Sequence, residues 1–180
     1  IMTATVAVPN AVKACTSDQR LETLQQLGER LVACQKSLTD YLDTKRNAFP
    51  RFFFISDDEL LSVLGSSDPA SIQVHMLKLF DNVKTLEFSR NKKNVVGMQS
   101  AEGERYDLIE TGAAIEGPVE TWMTTVEQQM VISLRQITKE GVYAYAHENR
   151  NDWLKSKLGM VGLVGSQIWW TWETEDVFRR

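Results

Sequence analysis

Leu21, Leu24, Leu27, Leu31, Cys34, Leu38, Tyr41 and Lys45 recur at intervals of three and four. That period places them on one stripe of a single helix. Thr16-Ser17-Asp18-Gln19 just ahead has the form of a capping box, which predicts the start of the helix. Roughly 30 residues at about 1.5 Å each make a rod of about 45 Å. Pro50 forbids its continuation and biases Phe49 towards an extended backbone. A chain organised around such a rod is expected to be mainly α, an elongated helical bundle.

Residues 1–15 are apolar, small and unpatterned, with Pro9-Asn10 as a breaker, and are read as an extended lead-in or as part of an earlier element. Arg51–Ile55 reads as a short extended connector. Ser56-Asp57-Asp58-Glu59 is a second capping box before Leu60, Leu61, Val63 and Leu64, with Gly65 as the stop. Asp68-Pro69 predicts a third helix start, with Ile72, Met76, Leu79, Phe80 and Val83 along one face. The period then changes. Leu86–Phe88, Val95–Met98 and Tyr106–Ile109, separated by polar turns, predict a small antiparallel hairpin or meander near residues 85–110.

Gly117-Pro118 opens another helix, striped by Val119, Trp122, Met123, Val126, Met130, Leu134 and Ile137. Gly141 is expected to interrupt it before a further helix carrying Tyr143, Tyr145, Trp153 and Leu154. Leu158–Phe178 is read as helix, because Gly159, Gly162 and Gly165 fall three apart and clear one face. The expected organisation is a lead-in over 1–16, a first helical subdomain over 17–84, a β hairpin or meander over 85–112, and a second helical subdomain over 113–180.

Chemistry is thinly represented. At 43% hydrophobic and 24% charged, with a net charge of −4, the composition is that of a soluble globular domain. Lys and Arg are scattered, which argues against nucleic acid as a partner. The two cysteines, Cys15 and Cys34, fit no metal-ligand spacing and suit a reducing compartment. The apolar run at Leu158–Val164 is far shorter than the ~20 residues of a membrane span, so an intracellular protein without membrane contact is expected. The glycines of Gly159–Gly165 match neither phosphate-binding loop pattern and are read as packing. His75 is read as a boundary residue bonded to backbone, and His147 and Lys92-Lys93 as solvated. Asp57, Asp58 and Glu59 complement the positive end of a helix. No catalytic, metal or cofactor site is expected. The chain starts at Ile1 and stops at Arg180, just after a Trp-rich segment, and is read as a piece of a longer polypeptide.

What stands out is Phe49–Phe54, with four phenylalanines in six residues around Pro50 and Arg51. Either some rings plug the gap between two helices or they dock on another body. In an extended connector successive side chains point to opposite sides, so one small core cannot easily take them all. An exposed cluster marks an interaction site. Phe49, Arg51, Phe52, Phe53 and Phe54 are therefore the candidate docking residues. Trp169, Trp170 and Trp172 pose the same question at the other end.

The run Cys34–Leu64, with its Phe-Pro-Arg-Phe motif and Ser-Asp-Asp-Glu-Leu-Leu, resembles the linker region of dynein heavy chains, most like axonemal (ciliary outer-arm) ones. His75–Phe88, the Glu-Gly-Glu turn of Met98–Ile109 and the helix of Gly117–Met130 follow in the same order. The likeness covers Arg20–Met130, weakens through Val131–Arg150 and resumes at Asn151-Asp152-Trp153 and Gln167–Thr171. It implies a helical lever lying across a ring of AAA+ ATPase modules of the same heavy chain, coupling ATP hydrolysis to minus-end-directed movement on microtubules. ATP and magnesium would be bound elsewhere in the parent chain, as would microtubules. Dynein intermediate and light chains and neighbouring heavy chains are the implied partners, and the cytoplasm, cytoskeleton and axoneme of a cilium or flagellum the implied location. The alternative reading is a static helical scaffold or adaptor in a large cytoskeletal complex.

Overall fold

In the computed structural model, which describes residues 2–16 and 19–179, the rod is α3, Arg20–Ala48. It ends two residues before Pro50, as the proline requires. The expected cap at Thr16–Gln19 includes Ser17 and Asp18, which lie outside the described residues. Two short helices, α1 (Met2–Ala7) and α2 (Ala11–Cys15), replace the expected extended lead-in. Asn10 explains the second of them: its side chain accepts from the Lys13 backbone N–H, 3.1 Å away, so the breaker acts as an N-cap. The chain divides into two compact units, Ile1–Thr44 and Lys45–Arg180. In the first, the Arg20 guanidinium donates to Thr5 Oγ1 at 3.4 Å and to the Ala14 carbonyl.

The second unit is mainly helical around a small antiparallel sheet. A 3-10 helix covers Pro50–Phe54, followed by α4 (Asp57–Gly65) with both arms of its capping box formed. Ser56 Oγ accepts from the Glu59 N–H at 3.3 Å, and Glu59 Oε2 accepts from the Ser56 N–H at 3.0 Å. The third helix is a 3-10 stretch, Pro69–His75, with one α turn, α5 (Met76–Leu79). Ile72, Met76, Leu79 and Phe80 are buried as the stripe predicts. Val83 instead begins the sheet, after Asn82 turns the chain with φ of 58°.

The sheet comprises β1 (Val83–Phe88), β2 (Asn94–Ser100), β3 (Arg105–Asp107) and β4 (Ala113–Ala114). β2 pairs antiparallel with β1 on one edge, and with β3 and β4 on the other. The third strand stops at Asp107, short of the expected Ile109, because Leu108 turns inward to the core and the chain bends through Glu110 and Gly112. β4 is two residues long and carries no alternation to read. The β1 edge is covered by a side chain. Gln73 accepts from the Leu86 N–H at 2.9 Å and donates to the Leu86 carbonyl at 2.6 Å, like a strand partner.

The helix α6 spans Val119–Tyr145, followed by α7 (Arg150–Ser156) and α8 (Gly159–Arg179). Gly141 does not interrupt α6, and Tyr143 and Tyr145 belong to that helix rather than to α7. A Cβ at Gly141 would lie 2.4 Å from Val161 Cγ1, so the glycine lets α8 approach. A Cβ at Gly165 would lie 2.8 Å from Trp153 Cζ2. The indole N–H of Trp153 donates to the Gly141 carbonyl at 2.7 Å, and that of Trp169 to the Val142 carbonyl at 2.8 Å. The Gly159–Gly165 stretch is thus the packing surface of a helix. Glu104, from the β2–β3 turn, accepts from the Gly159 N–H at 2.7 Å and caps α8. Among the described residues, no helix is long and apolar enough to cross a membrane.

Two glycines separate the two roles of this residue. At Gly112, with φ of 77°, a Cβ would sit 2.0 Å from the Val95 carbonyl oxygen; at Gly28 in α3 it would meet nothing within 4 Å. Gly112→Ala should lower the unfolding free energy by on the order of 3 kcal/mol, whereas Gly28→Ala should raise it by up to ~1 kcal/mol. Chemical denaturation of both variants measures the pair.

Candidate functional site

The Phe-Pro-Arg-Phe block is a 3-10 helix and not the expected extended connector. Pro50 supplies the fixed φ of a first helical turn. A 3-10 helix has three residues per turn, so Phe49 and Phe52 share one side while Phe53 and Phe54 fall on the others. Phe49 and Phe52 are fully buried, edge to face at 4.9 Å, with Phe80 6.4 Å from Phe49. Phe53 and Phe54 are 60% and 65% exposed. Two of the candidate docking rings are therefore core residues and two form an aromatic ridge.

Arg51 is held from several directions. Its Nε donates to Glu127 Oε1 on α6 at 2.8 Å and its Nη1 to the Leu79 carbonyl at 2.9 Å, with the guanidinium 4.4 Å from the Phe80 ring centre. It braces the turn against α6 and α5 rather than reaching outward. Arg51 also lines a cavity of about 260 Å³ with Phe80, Met98, Tyr106, Met130 and Met160. Burial pushes the Tyr106 phenol up to about 12, and its hydroxyl donates to Met98 Sδ at 3.1 Å.

Arg46 was not singled out from the sequence, yet it fixes the ridge. Nearly buried in the last turn of α3, it donates to Asp57 Oδ1 at 2.7 Å, to the Ile55 carbonyl at 3.3 Å and to the Phe52 carbonyl at 3.5 Å. Its guanidinium lies 5.9 Å from the Phe53 ring centre, within cation–π range. A basic residue in the last helical turn was the available signal, although the carbonyls it reaches lie beyond its own helix. Lys45, beside it, pairs with Glu120 at 2.5 Å. The ridge is thus carried on a bend clamped by two arginines.

His75 is buried but does not bond backbone as expected. Its Nδ1 faces Glu59 Oε1 at 3.5 Å and has no hydrogen-bond partner among the described residues. Lys78, 2.6 Å from Glu59 Oε1, holds that carboxyl down at about 2, helped by donation from the Ser56 backbone N–H. His147 is exposed, its ring 4.9 Å from that of Tyr143. Lys92 pairs with Asp68 at 3.3 Å. The acids of the first turn of α4 serve as helix-end charges and clamp partners.

Phe52→Ala should cost about 3–5 kcal/mol of stability, while Phe54→Ser should stay within ~0.5 kcal/mol of the parent; denaturant titration separates them. Glu59 has a folded pKa below its ordinary 4.5, so its contribution is complete above about pH 4.5 and is lost as pH falls towards about 2. Glu59→Gln should be less stable at neutral pH and should lose less on acidification through that window, measured by melting temperature against pH.

Residues 1–141 match the family described as dynein heavy chain, N-terminal region 2. The chain is 58% identical over 180 residues to the dynein-1-alpha heavy chain of the flagellar inner arm I1 complex of Chlamydomonas reinhardtii, covering 100% of this chain and 4% of that protein. It is 51% identical over 184 residues to dynein axonemal heavy chain 10 of Homo sapiens, again 100% of this chain and 4% of the relative. To the ciliary dynein beta chain of Heliocidaris crassispina it is 36% identical, over 96% of this chain and 4% of that one. The chain therefore spans about 4% of the length of these relatives. The resemblance read from Arg20–Met130 is borne out, and the chain belongs to the dynein heavy chain family.

Proposed function

We propose that this chain is a segment of the mechanical linker of an axonemal dynein heavy chain, and that Phe53 and Phe54 dock it reversibly on the AAA+ ring of the same polypeptide. The observation that carries the reading is the pair of half-exposed rings on a bend that the same unit clamps with Arg46 and Arg51. A lever must transmit force without yielding at the docking point, so a rigid turn with a small adhesive face suits it. ATP binding and hydrolysis, with its magnesium, belong to other parts of the heavy chain on this reading, as does microtubule contact. Intermediate and light chains and neighbouring heavy chains are the further partners in the axoneme. The names of the relatives support a cilium or flagellum as the location. The relative sharing 58% identity is named for an inner-arm complex, which favours the inner arm over the outer arm expected from the sequence.

The energies are of a useful size. Full burial of a Phe side chain is worth ~1.5–3 kcal/mol, so covering what remains exposed of both rings supplies about 2–4 kcal/mol. Moving a two-state element from 1:99 to 99:1 takes about 5.5 kcal/mol. Two rings therefore bias the lever strongly without locking it, as a cyclic contact needs.

In the intact heavy chain, Phe53→Ser with Phe54→Ser should leave nucleotide binding at the parent level and lower microtubule gliding velocity several-fold. Unchanged velocity in the correctly folded double variant refutes docking through this ridge and returns the segment to a static scaffold.

A further inference from the structure

The cavity beside Arg51 plays no part in the ridge. It holds about 260 Å³ between the sheet, α6 and the start of α8. An apolar void of about 150 Å³ takes a benzene ring, so this one has room for a larger aromatic body. Phe80 and Met98 line it from the core, 2% and 1% exposed. From α6 come Met130 and Leu134, both half-buried, and from α8 comes Met160, which is 52% exposed and marks the side open to solvent. Three of the chain's six methionines thus meet at one cavity. Thioethers on flexible, unbranched chains adapt to the shape beside them and make favourable contacts with aromatic rings.

The polar groups around the cavity decide what kind of molecule it takes. Most are engaged within the chain. Arg51 is bonded to Glu127 and to the Leu79 carbonyl. Asn82 donates to Glu102 at 2.7 Å and accepts from the Ala101 N–H at 3.3 Å, and Glu104 caps α8. Tyr106 is the exception. Among the described residues its hydroxyl has only Met98 Sδ, at 3.1 Å, as a hydrogen-bond partner, and a thioether is a weak acceptor. Burial pushes the phenol up to about 12, so it is a donor at neutral pH. A desolvated donor with so weak a partner gains from a carbonyl oxygen. An anion is disfavoured, because Asp81 and Glu104 are carboxylates on the lining and Arg51 is already neutralised. A cation would shed its water against thioethers and alkyl groups, and the Phe80 ring is already taken by Arg51.

We propose that this cavity is a binding site for a small neutral aromatic molecule with one hydrogen-bond acceptor, an aryl ketone or ester, which lies against Met98, Met130 and Met160 and accepts from the Tyr106 hydroxyl. The site is separate from Phe53 and Phe54 and independent of docking through them.

Benzophenone serves as the probe on the intact heavy chain. On irradiation its carbonyl carbon bonds to a methionine side-chain carbon, and the hydrogen displaced from that carbon passes to the ketone oxygen. Mass spectrometry of the digested chain should place the label on Met98, Met130 or Met160, and the labelling should saturate with probe concentration. Methyl benzoate, which has an acceptor, and isobutylbenzene, of similar size without one, should both compete. Tyr106→Phe should weaken competition by methyl benzoate several-fold and leave competition by isobutylbenzene unchanged. Labelling that does not saturate or that spares these methionines overturns the proposal, as does the absence of label, which means that the cavity is closed or filled by another part of the heavy chain. An equal change for both competitors in Tyr106→Phe, as a distorted cavity gives, or no change for either, also overturns it.

Discussion

Everything in the second unit is arranged around the turn that Pro50 imposes at the end of α3. Where the helix stops, Arg46 in its last turn reaches across the bend to the carbonyls of Phe52 and Ile55 while pairing with Asp57. The guanidinium thus joins the end of one helix, the 3-10 turn and the start of the next in one cluster. Arg51 extends the same clamp to α5 and α6. Because both arginines are hydrogen-bonded to backbone as well as to carboxylates, the bend resists rotation in a way that surface ion pairs do not.

The period of that turn divides the phenylalanines. Three residues per turn send Phe49 and Phe52 inward, where they meet Phe80, and leave Phe53 and Phe54 outside. An exposed pair of rings and a buried pair thereby come from one short turn. The joint at the other end is built differently. There α8 approaches α6 because Gly141 has no side chain, Gly165 leaves room for Trp153, and two indoles donate to the carbonyls of α6. Glu104 adds a link from the sheet to the first turn of α8, so the meander, α6 and α8 act as one body.

The Phe block shows where local pattern misleads. Proline excludes a regular α-helix at its own position and biases the residue before it, but it does not distinguish an extended strand from a single 3-10 turn. Only the carbonyl acceptors and the ring packing of the folded unit select the latter. Gly141 is a similar case: its low helix propensity, about 1 kcal/mol below Ala, is outweighed by the close approach of Val161 that it permits. Arg46 escaped notice because its value depends on carbonyls six and nine residues away in sequence, which only the folded bend brings within its reach.

Local pattern alone determined the long helix, the two capped starts at Ser56 and Asp68, the meander and the stripe of α6, because each follows from interactions within a few residues. The likeness of motif order was likewise legible without coordinates. Which rings face water and how Arg46, Arg51 and the glycines are used were decided only by tertiary structure. Those are questions of which distant backbone and side-chain groups meet, and spacing along a chain does not contain the distances across it.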